Sequence, residues 1–305
     1  MSWAIADIAG DALALFLRDA PLLGGRNKLA DCSADPQWRT SGSWTTGSDV
    51  TQAHYRTHRA YDGWHHAPTR PSSGAAHHYL ILDFGSEIAF DLFGIFGHNF
   101  HLLGGVVTVS LQVADNSAYT TNLQTLQAWS PSAIDRIFTC AIGAGVIPGI
   151  NNAGLVTGVR YARIKIDYDG GAPHPEISEV YFGSRFALPR LADLPEAHED
   201  LETLVDTFEG GTGHRQNVSR YHGRKRVVRE WGGLSSAEAD VFTDWYLDTH
   251  EGGMPGIWVE HPYTDGDQAH VVEPGASIDV READAGDIRV GLVALERAPL
   301  LSMEA

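Results

Sequence analysis

The side chains best suited to chemistry crowd into one stretch, where Trp38, Trp44, His54, Tyr55, His58, Tyr61, Trp64, His65, His66, His77 and His78 fall within a weakly periodic, turn-rich segment. Flat rings beside hydrogen-bonding groups suit the apolar face and hydroxyls of a sugar. Trp44, Trp64, His65 and His66, with His98 and Asn99 further on, are therefore the candidate ligand-binding residues. A metal is the competing use of the histidines. Adjacent side chains on an extended chain point to opposite faces, so the doublets His65-His66 and His77-His78 each offer one ligand per side. No acidic or cysteine partner stands at a zinc spacing, and the sequence predicts surface-loop histidines and no metal. Asp62-Gly63 supplies one carboxylate, far short of a calcium shell. Asp167-Tyr168-Asp169 and Asp265-Gly266-Asp267 are partial calcium loops without the closing Glu.

Three apolar runs must position these groups. Tyr79–Gly85, Ile88–Asn99 and Val106–Asn116 are rich in β-branched and aromatic residues, and each closes on Gly, Asp or Asn. The last alternates, with Val107, Val109, Leu111 and Val113 on one face and Thr108, Ser110 and Gln112 on the other. The middle run is apolar on both faces, which predicts a central strand covered on each side. Arg160–Ile166 alternates again, and Ile177–Gly183 closes the unit. Between them, residues 118–158 read as loop, interrupted by Ile134–Phe138.

The order of these pieces resembles a known family. The turn Ala60-Tyr61-Asp62-Gly63, then Leu80–Gly85, Val109–Asn116, Arg160–Ile166 and Ile177–Gly183, are arranged as in discoidin-like (coagulation factor 5/8 type C) domains. Gly97-His98-Asn99-Phe100, followed by the strand Val106–Val113, resembles the divergent version found in minor tail proteins of tailed bacteriophages. The resemblance spans roughly residues 26–186 and implies a galactose-binding-like β-sandwich of jelly-roll type, a recognition module and not an enzyme. Cys32 and Cys140 do not bracket the domain as the paired cysteines of extracellular members do.

The chain has 305 residues, enough for two domains with a core in each. A formal net charge of -17 argues against a binder that tracks nucleic-acid phosphates and predicts repulsion from anionic membranes. No apolar run has transmembrane length, so membrane insertion is not expected. Two cysteines are too few for a disulfide framework and are expected as buried free thiols. The N-terminal residues lack the basic start of a secretory signal, which predicts synthesis in a host cytoplasm.

Residues 1–25 read as a terminal arm or short helix, with Leu13, Leu15, Phe16 and Leu17 either docked on a neighbouring subunit or folded back on their own core. Residues 26–186 are the sandwich. Residues 187–204, with Pro189, Pro195 and the acidic run Glu196–Glu202, read as a linker. Residues 205–305 form a smaller α+β module with one main helix. There Ser235 and Glu238 make a capping box, and the helix is expected to bury Ala237, Val241, Phe242 and Trp245 while exposing Asp240, Asp244 and Asp248. The order strand, strand, helix, strand, strand, with Trp258 and Pro262 after the helix, resembles a module of phage tail-tip and distal tail proteins, whose sheets join around a ring. Arg224, Lys225, Arg226 and Arg229 are the candidate subunit contact, or else solvated residues of an ordinary strand.

No Gly-x-Ser-x-Gly elbow, phosphate-binding glycine loop or assignable carboxylate pair is present. The sequence thus predicts a mainly β, non-enzymatic virion component without a cofactor, part of a tail tip, baseplate or fibre base. Its expected partners are other tail proteins, copies of itself and host-surface saccharide. A free carbohydrate-binding protein, or an accessory domain outside any virion, is the alternative.

Overall fold

The structure is a computed structural model. It describes residues 22–31, 35–61, 68–130, 137–141, 156–187, 200–202, 205–209, 215–219, 224–250, 256–261, 265–272, 277–282 and 288–295. Of the arm or short helix expected over 1–25, residues 1–21 lie outside these residues and Leu22–Gly24 form a strand; the turn Asp62-Gly63 also lies outside them. Strands run, in chain order, over Leu22–Gly24 (β1), Gln37–Arg39 (β2), His77–Phe90 (β3), Leu92–Phe96 (β4), Thr108–Ala114 (β5), Gln124–Trp129 (β6), Ile137–Ala141 (β7), Val156–Asp167 (β8), Glu179–Gly183 (β9), Arg185–Ala187 (β10), Asp200–Glu202 (β11), Val205–Glu209 (β12), Arg215–Ser219 (β13), Arg224–Leu234 (β14), Gly256–His261 (β15), Asp265–Val272 (β16), Ser277–Glu282 (β17) and Ile288–Leu295 (β18). The α-helix among the described residues is Ser236–His250 (α1). The fold is mainly β, and among the described residues no helix is long and apolar enough to cross a membrane.

The chain divides into two compact units, one of Gly24–Arg185 with Glu260–Ala269 and one holding Phe186–Val259. In the first, a five-stranded sheet of order β2-β3-β8-β5-β6 faces a three-stranded sheet of order β7-β4-β9. Period-two alternation builds the core between them. Leu80, Leu82 and Phe84 of β3, Val109, Leu111 and Val113 of β5, and Ala162, Ile164 and Ile166 of β8 meet Phe93 and Ile95 of β4 and Val180 and Phe182 of β9. Phe182 is the hub, its ring centroid 5.2, 5.0 and 5.0 Å from those of Phe84, Phe90 and Phe93. β4 is central and buried on both faces, as its doubly apolar sequence predicts.

The structure differs from the sequence reading in three strands. β3 runs unbroken through Gly85, at a φ of 76°, and its register against β8 shifts between Asp83 and Ile88, so the first expected strand is a longer bulged one that takes in Ile88–Phe90, and the central strand begins only at Leu92. β6 and β7 lie in the stretch read as loop. β6 is an edge strand on which Leu126 is buried while Gln124, Thr125 and Ala128 are exposed, a pattern without an apolar face to reveal it.

Asn27 seals the exposed edge of β9. Its amide Nδ2 donates to Val180 O (2.8 Å), and its Oδ1 accepts from Phe182 N (3.1 Å) and Leu29 N (3.1 Å). Edge carbonyls and amides that water would otherwise satisfy are thereby met by one fully buried side chain.

In the second unit β11-β14-β18-β17 form a sheet, and β12 and β13 a two-stranded ribbon. The capping box is present: the Ser235 N–H donates to Glu238 Oε2 at 2.7 Å, and the Glu238 N–H reaches Ser235 Oγ at 3.4 Å. The apolar stripe of α1 is rotated from the expected one. Ala239, Phe242, Trp245 and Thr249 are buried and Ala237 is exposed, because Phe242 packs on Trp231 (centroids 4.8 Å apart) and sets the helix phase. Asp240, Asp244 and Asp248 are exposed as expected.

Candidate functional site

Register locates the loops of the sandwich. His77 at the start of β3 and Thr108 at the start of β5 both stand opposite Asp167 at the end of β8, and Phe96 at the end of β4 stands opposite Glu179 at the start of β9. Loops 68–76, 97–107 and 168–178 therefore gather at one end. They are tied to one another by backbone bonds, Thr69 N to Ile177 O (2.7 Å), Gly171 N to Gly74 O (2.8 Å), Tyr168 N to Ala76 O (3.0 Å) and Asp169 N to Gly104 O (3.1 Å). Loops braced on a rigid sheet are where recognition groups can be held in place.

Arg70 is the centre of the polar groups there. Its Nη1 lies 2.8 Å from Glu176 Oε1, its Nε donates to Gln52 Oε1 at 2.8 Å, and its guanidinium sits 3.9 Å over the ring of Tyr55. The Arg70 and Glu176 side chains keep 28% and 27% of their surface, enough to be met by a ligand and little enough to be fixed. The Nδ1–H of His174 donates to Pro71 O at 2.9 Å, which leaves Nε2 as the acceptor of the neutral ring. Arg70, Glu176 and Gln52 had no signal in the sequence, because 106 residues separate the ion pair and nothing local marks either partner, whereas Tyr55 belongs to the ring-rich stretch picked out from the sequence.

Of the residues chosen from sequence, His98 and Asn99 lie at this end. His98 is buried, its ring stacked 4.3 Å from Phe100 and its Nδ1 accepting from Phe100 N at 3.3 Å. Asn99 donates from Nδ2 to His174 O and accepts at Oδ1 from Glu176 N, both at 2.8 Å, so both ends of its amide brace the 168–178 loop. Trp44 is elsewhere. It packs with Ile81, Tyr79, Ala114, Tyr119 and Tyr161 on the outer face of the five-stranded sheet, and its backbone N–H donates to Ser117 O, beyond the opposite end of β5. Trp64, His65 and His66 lie outside the described residues.

The outer face that Trp44 joins is closed by the 40–49 loop over Arg163. That guanidinium donates to Gln112 Oε1 (2.7 Å) and Gly42 O (2.8 Å), and lies 4.8 and 4.7 Å from the rings of Tyr79 and Tyr119. Burial pulls its pKa down, and burial pushes that of Tyr119 up. A Cβ on Gly42 would overlap the guanidinium, whose tip would have to shift.

The histidine doublet at 77–78 corrects the expectation of surface loops. The two rings do point to opposite faces, but from a strand: His77 is exposed and bonds Asp167 through Nδ1 (2.6 Å), whereas His78 faces the core and is fully buried. Burial, and secondarily the neighbouring His174, lowers the His78 pKa to about 4. Asp167, one carboxylate of a partial calcium loop, is engaged by His77 and by Lys165 (2.7 Å), and no group of three metal-ligating side chains stands among the described residues.

The basic candidates Arg224, Lys225, Arg226 and Arg229 all lie on β14. Arg224, Lys225 and Arg226 are in register with Glu202, Leu201 and Asp200 of β11, and Arg229 with Leu292 of β18. At Arg226 this strand is paired on both sides, and part of the stretch read as linker is its neighbour. Cys140 stands opposite Phe93 in the β4–β7 pair, and Cys32 lies outside the described residues.

No protein-family model matches the chain, and no curated protein matches it. Solved structures similar to it include a chitosan-binding module of a Paenibacillus chitosanase/glucanase, at 14% identity and a TM-score of 0.37, covering 52% of this chain and 98% of that one. Another is the family 32 carbohydrate-binding module of C. perfringens NanJ in complex with galactose, at 10% identity and 0.36, covering 52% and 98%. A Ruminococcus gnavus GH29 fucosidase is similar at 16% identity and 0.33 over 43% of this chain, which spans 22% of the fucosidase. Likenesses this distant carry nothing about ligand or activity.

Proposed function

We propose that the sandwich is a non-catalytic saccharide-recognition module of the discoidin-like, galactose-binding-like kind, and that its site is the loop end around Arg70. The observation that supports this most is the Arg70–Glu176 pair, held by Gln52 and Tyr55 on loops bonded to one another. Oriented donors and acceptors beside an aromatic ring match a sugar's hydroxyls and apolar face, and fixing them in advance reduces the ordering cost of binding. Trp64, His65, His66, His98 and Asn99 remain candidates for the same ligand, and Trp44 for a separate contact on the sheet face. Galactose, N-acetylgalactosamine and chitosan oligomers are the probes to titrate, by calorimetry and by amide chemical shifts. Millimolar binding that weakens at least about tenfold in Arg70→Ala, the loss expected for about 1.4 kcal/mol, supports the reading. Absence of any shift at saturating sugar refutes it.

For the second unit we propose attachment to a symmetric assembly, in a phage tail tip, baseplate or fibre base, where repetition would turn weak sugar contacts into avidity. What favours attachment is the β12–β13 ribbon, which has no third strand among the described residues and is of a kind marginal in isolation. Arg224, Lys225, Arg226 and Arg229 stay its candidate contact. Light scattering of the full chain decides between this and a free carbohydrate-binding protein, which would be monomeric.

A further inference from the structure

His78 sits where the loops that hold Arg70 and Glu176 meet the core. Its ring stacks on Tyr168 (centroids 6.0 Å apart, planes at 24°) and stands edge-on to Trp38 (6.2 Å), and neither ring nitrogen meets a partner at hydrogen-bond geometry. Two loops close over it through the bonds from Tyr168 N to Ala76 O and from Gly171 N to Gly74 O. The groups that act on its charge come from each neighbouring element. The Ser73 and Ala75 carbonyls of the 68–76 loop favour a proton, while His174 of the 168–178 loop and His77 of its own strand oppose one. Of the charged groups nearby, Arg70 is paired with Glu176, and Asp167 with His77 and Lys165 on the outer face, while the Asp169 carboxylate lies beside Gly105. No carboxylate is among the groups that act on the ring's charge.

We propose that His78 makes the site acid-labile: a proton on its ring is accommodated far better when loops 68–76 and 168–178 lift from the end of the sandwich, which separates Arg70 from Glu176 and releases bound saccharide. The release rests on the saccharide reading above; the lifting does not. The sign follows from linkage. The ring binds a proton more weakly in the closed state, about 4, than in an open one near the ordinary 6.5, so closure is fully favoured above that value, weakens as pH falls from 6.5, and levels off below about 4. These values raise the open population about 30-fold at pH 5 relative to pH 8.

Hydrogen exchange of the full chain at pH 8, 6 and 5, corrected for intrinsic rates, reads the opening directly. Protection of amides in 70–76 and 169–177 is expected to fall about 30-fold at pH 5, with β5 and β8 unchanged, and to become pH-independent in His78→Phe, which keeps the stacking and cannot be protonated. Equal loss in folded His78→Phe, or no loss in the wild type, overturns the proposal. Should that variant not fold, an imidazole titration of the wild type by NMR decides, since a buried ring titrating at the ordinary value also overturns it. Galactose titrations at pH 8 and 5 separate the two readings. Opening without galactose binding at either pH sinks the saccharide site and spares the opening, whereas pH-independent loops with binding at pH 8 sink the opening and spare the site.

Discussion

Replacing Asn99 tests whether it touches ligand or holds the loop that does. Its amide makes two 2.8 Å hydrogen bonds, donating to His174 O and accepting from Glu176 N. Asn99→Ala leaves one carbonyl and one amide without their partner in a half-buried place. At roughly 1 kcal/mol for each, the cost is about 2 kcal/mol, and the midpoint of urea unfolding falls accordingly. Asn99→Asp keeps the acceptor for Glu176 N but turns a carboxylate oxygen toward the His174 carbonyl, so at neutral pH it is at least as destabilised as the alanine variant. Protonation restores an O–H donor there. The folded variant therefore holds its carboxyl proton more tightly than the unfolded chain does. The deficit relative to wild type is greatest above the folded-state pKa and shrinks as pH falls toward the unfolded carboxyl range. Urea melts of wild type and both variants at pH 7 and 4.5, each paired with a galactose titration, measure this. An alanine variant that loses sugar binding with an unshifted midpoint, or an aspartate variant whose deficit grows in acid, refutes the bracing role.

Asn27→Ala strips three buried hydrogen bonds, two from the edge of β9 and one from Leu29 N, and is expected to lower stability by about 3 kcal/mol, read by the same denaturation. An effect under about 1 kcal/mol would mean that water replaces the amide at that edge. Gly105→Ala adds a Cβ at a φ of 76° into the Asp169 carboxylate. Its expected cost is about 1–3 kcal/mol, seen as a lower melting temperature together with faster exchange in the 97–107 loop, and an unchanged melt would show that Asp169 moves aside freely.

How much was legible in the sequence varied with how far each signal reached. β4, β5 and β9 announce themselves because their apolar residues follow one or both faces of a buried sheet. The Ser235–Glu238 cap is equally plain, since it is a contact three residues long. β6 was hidden because an edge strand with a single buried leucine has nothing to alternate, and the phase of α1 was hidden because Trp231, outside the helix, decides it. For the candidate site, alternation correctly separated His77 from His78, but their strand and its core-facing side depend on pairing with residues near 166. Arg70 and Glu176 meet through two loops far apart in sequence, which no local pattern reveals.

The short strand β11 has a practical consequence. Asp200 and Glu202 stand across from Arg226 and Arg224, opposite charges facing each other in an antiparallel ladder. A recombinant fragment begun at residue 205 would discard the two acids, leave three ladder positions bare and gather uncompensated positive charge along a naked edge that invites foreign strands. Such a fragment would clump or pair with itself for reasons foreign to the intact chain, and any oligomer it formed would mislead. One begun ahead of Asp200 keeps that border dressed.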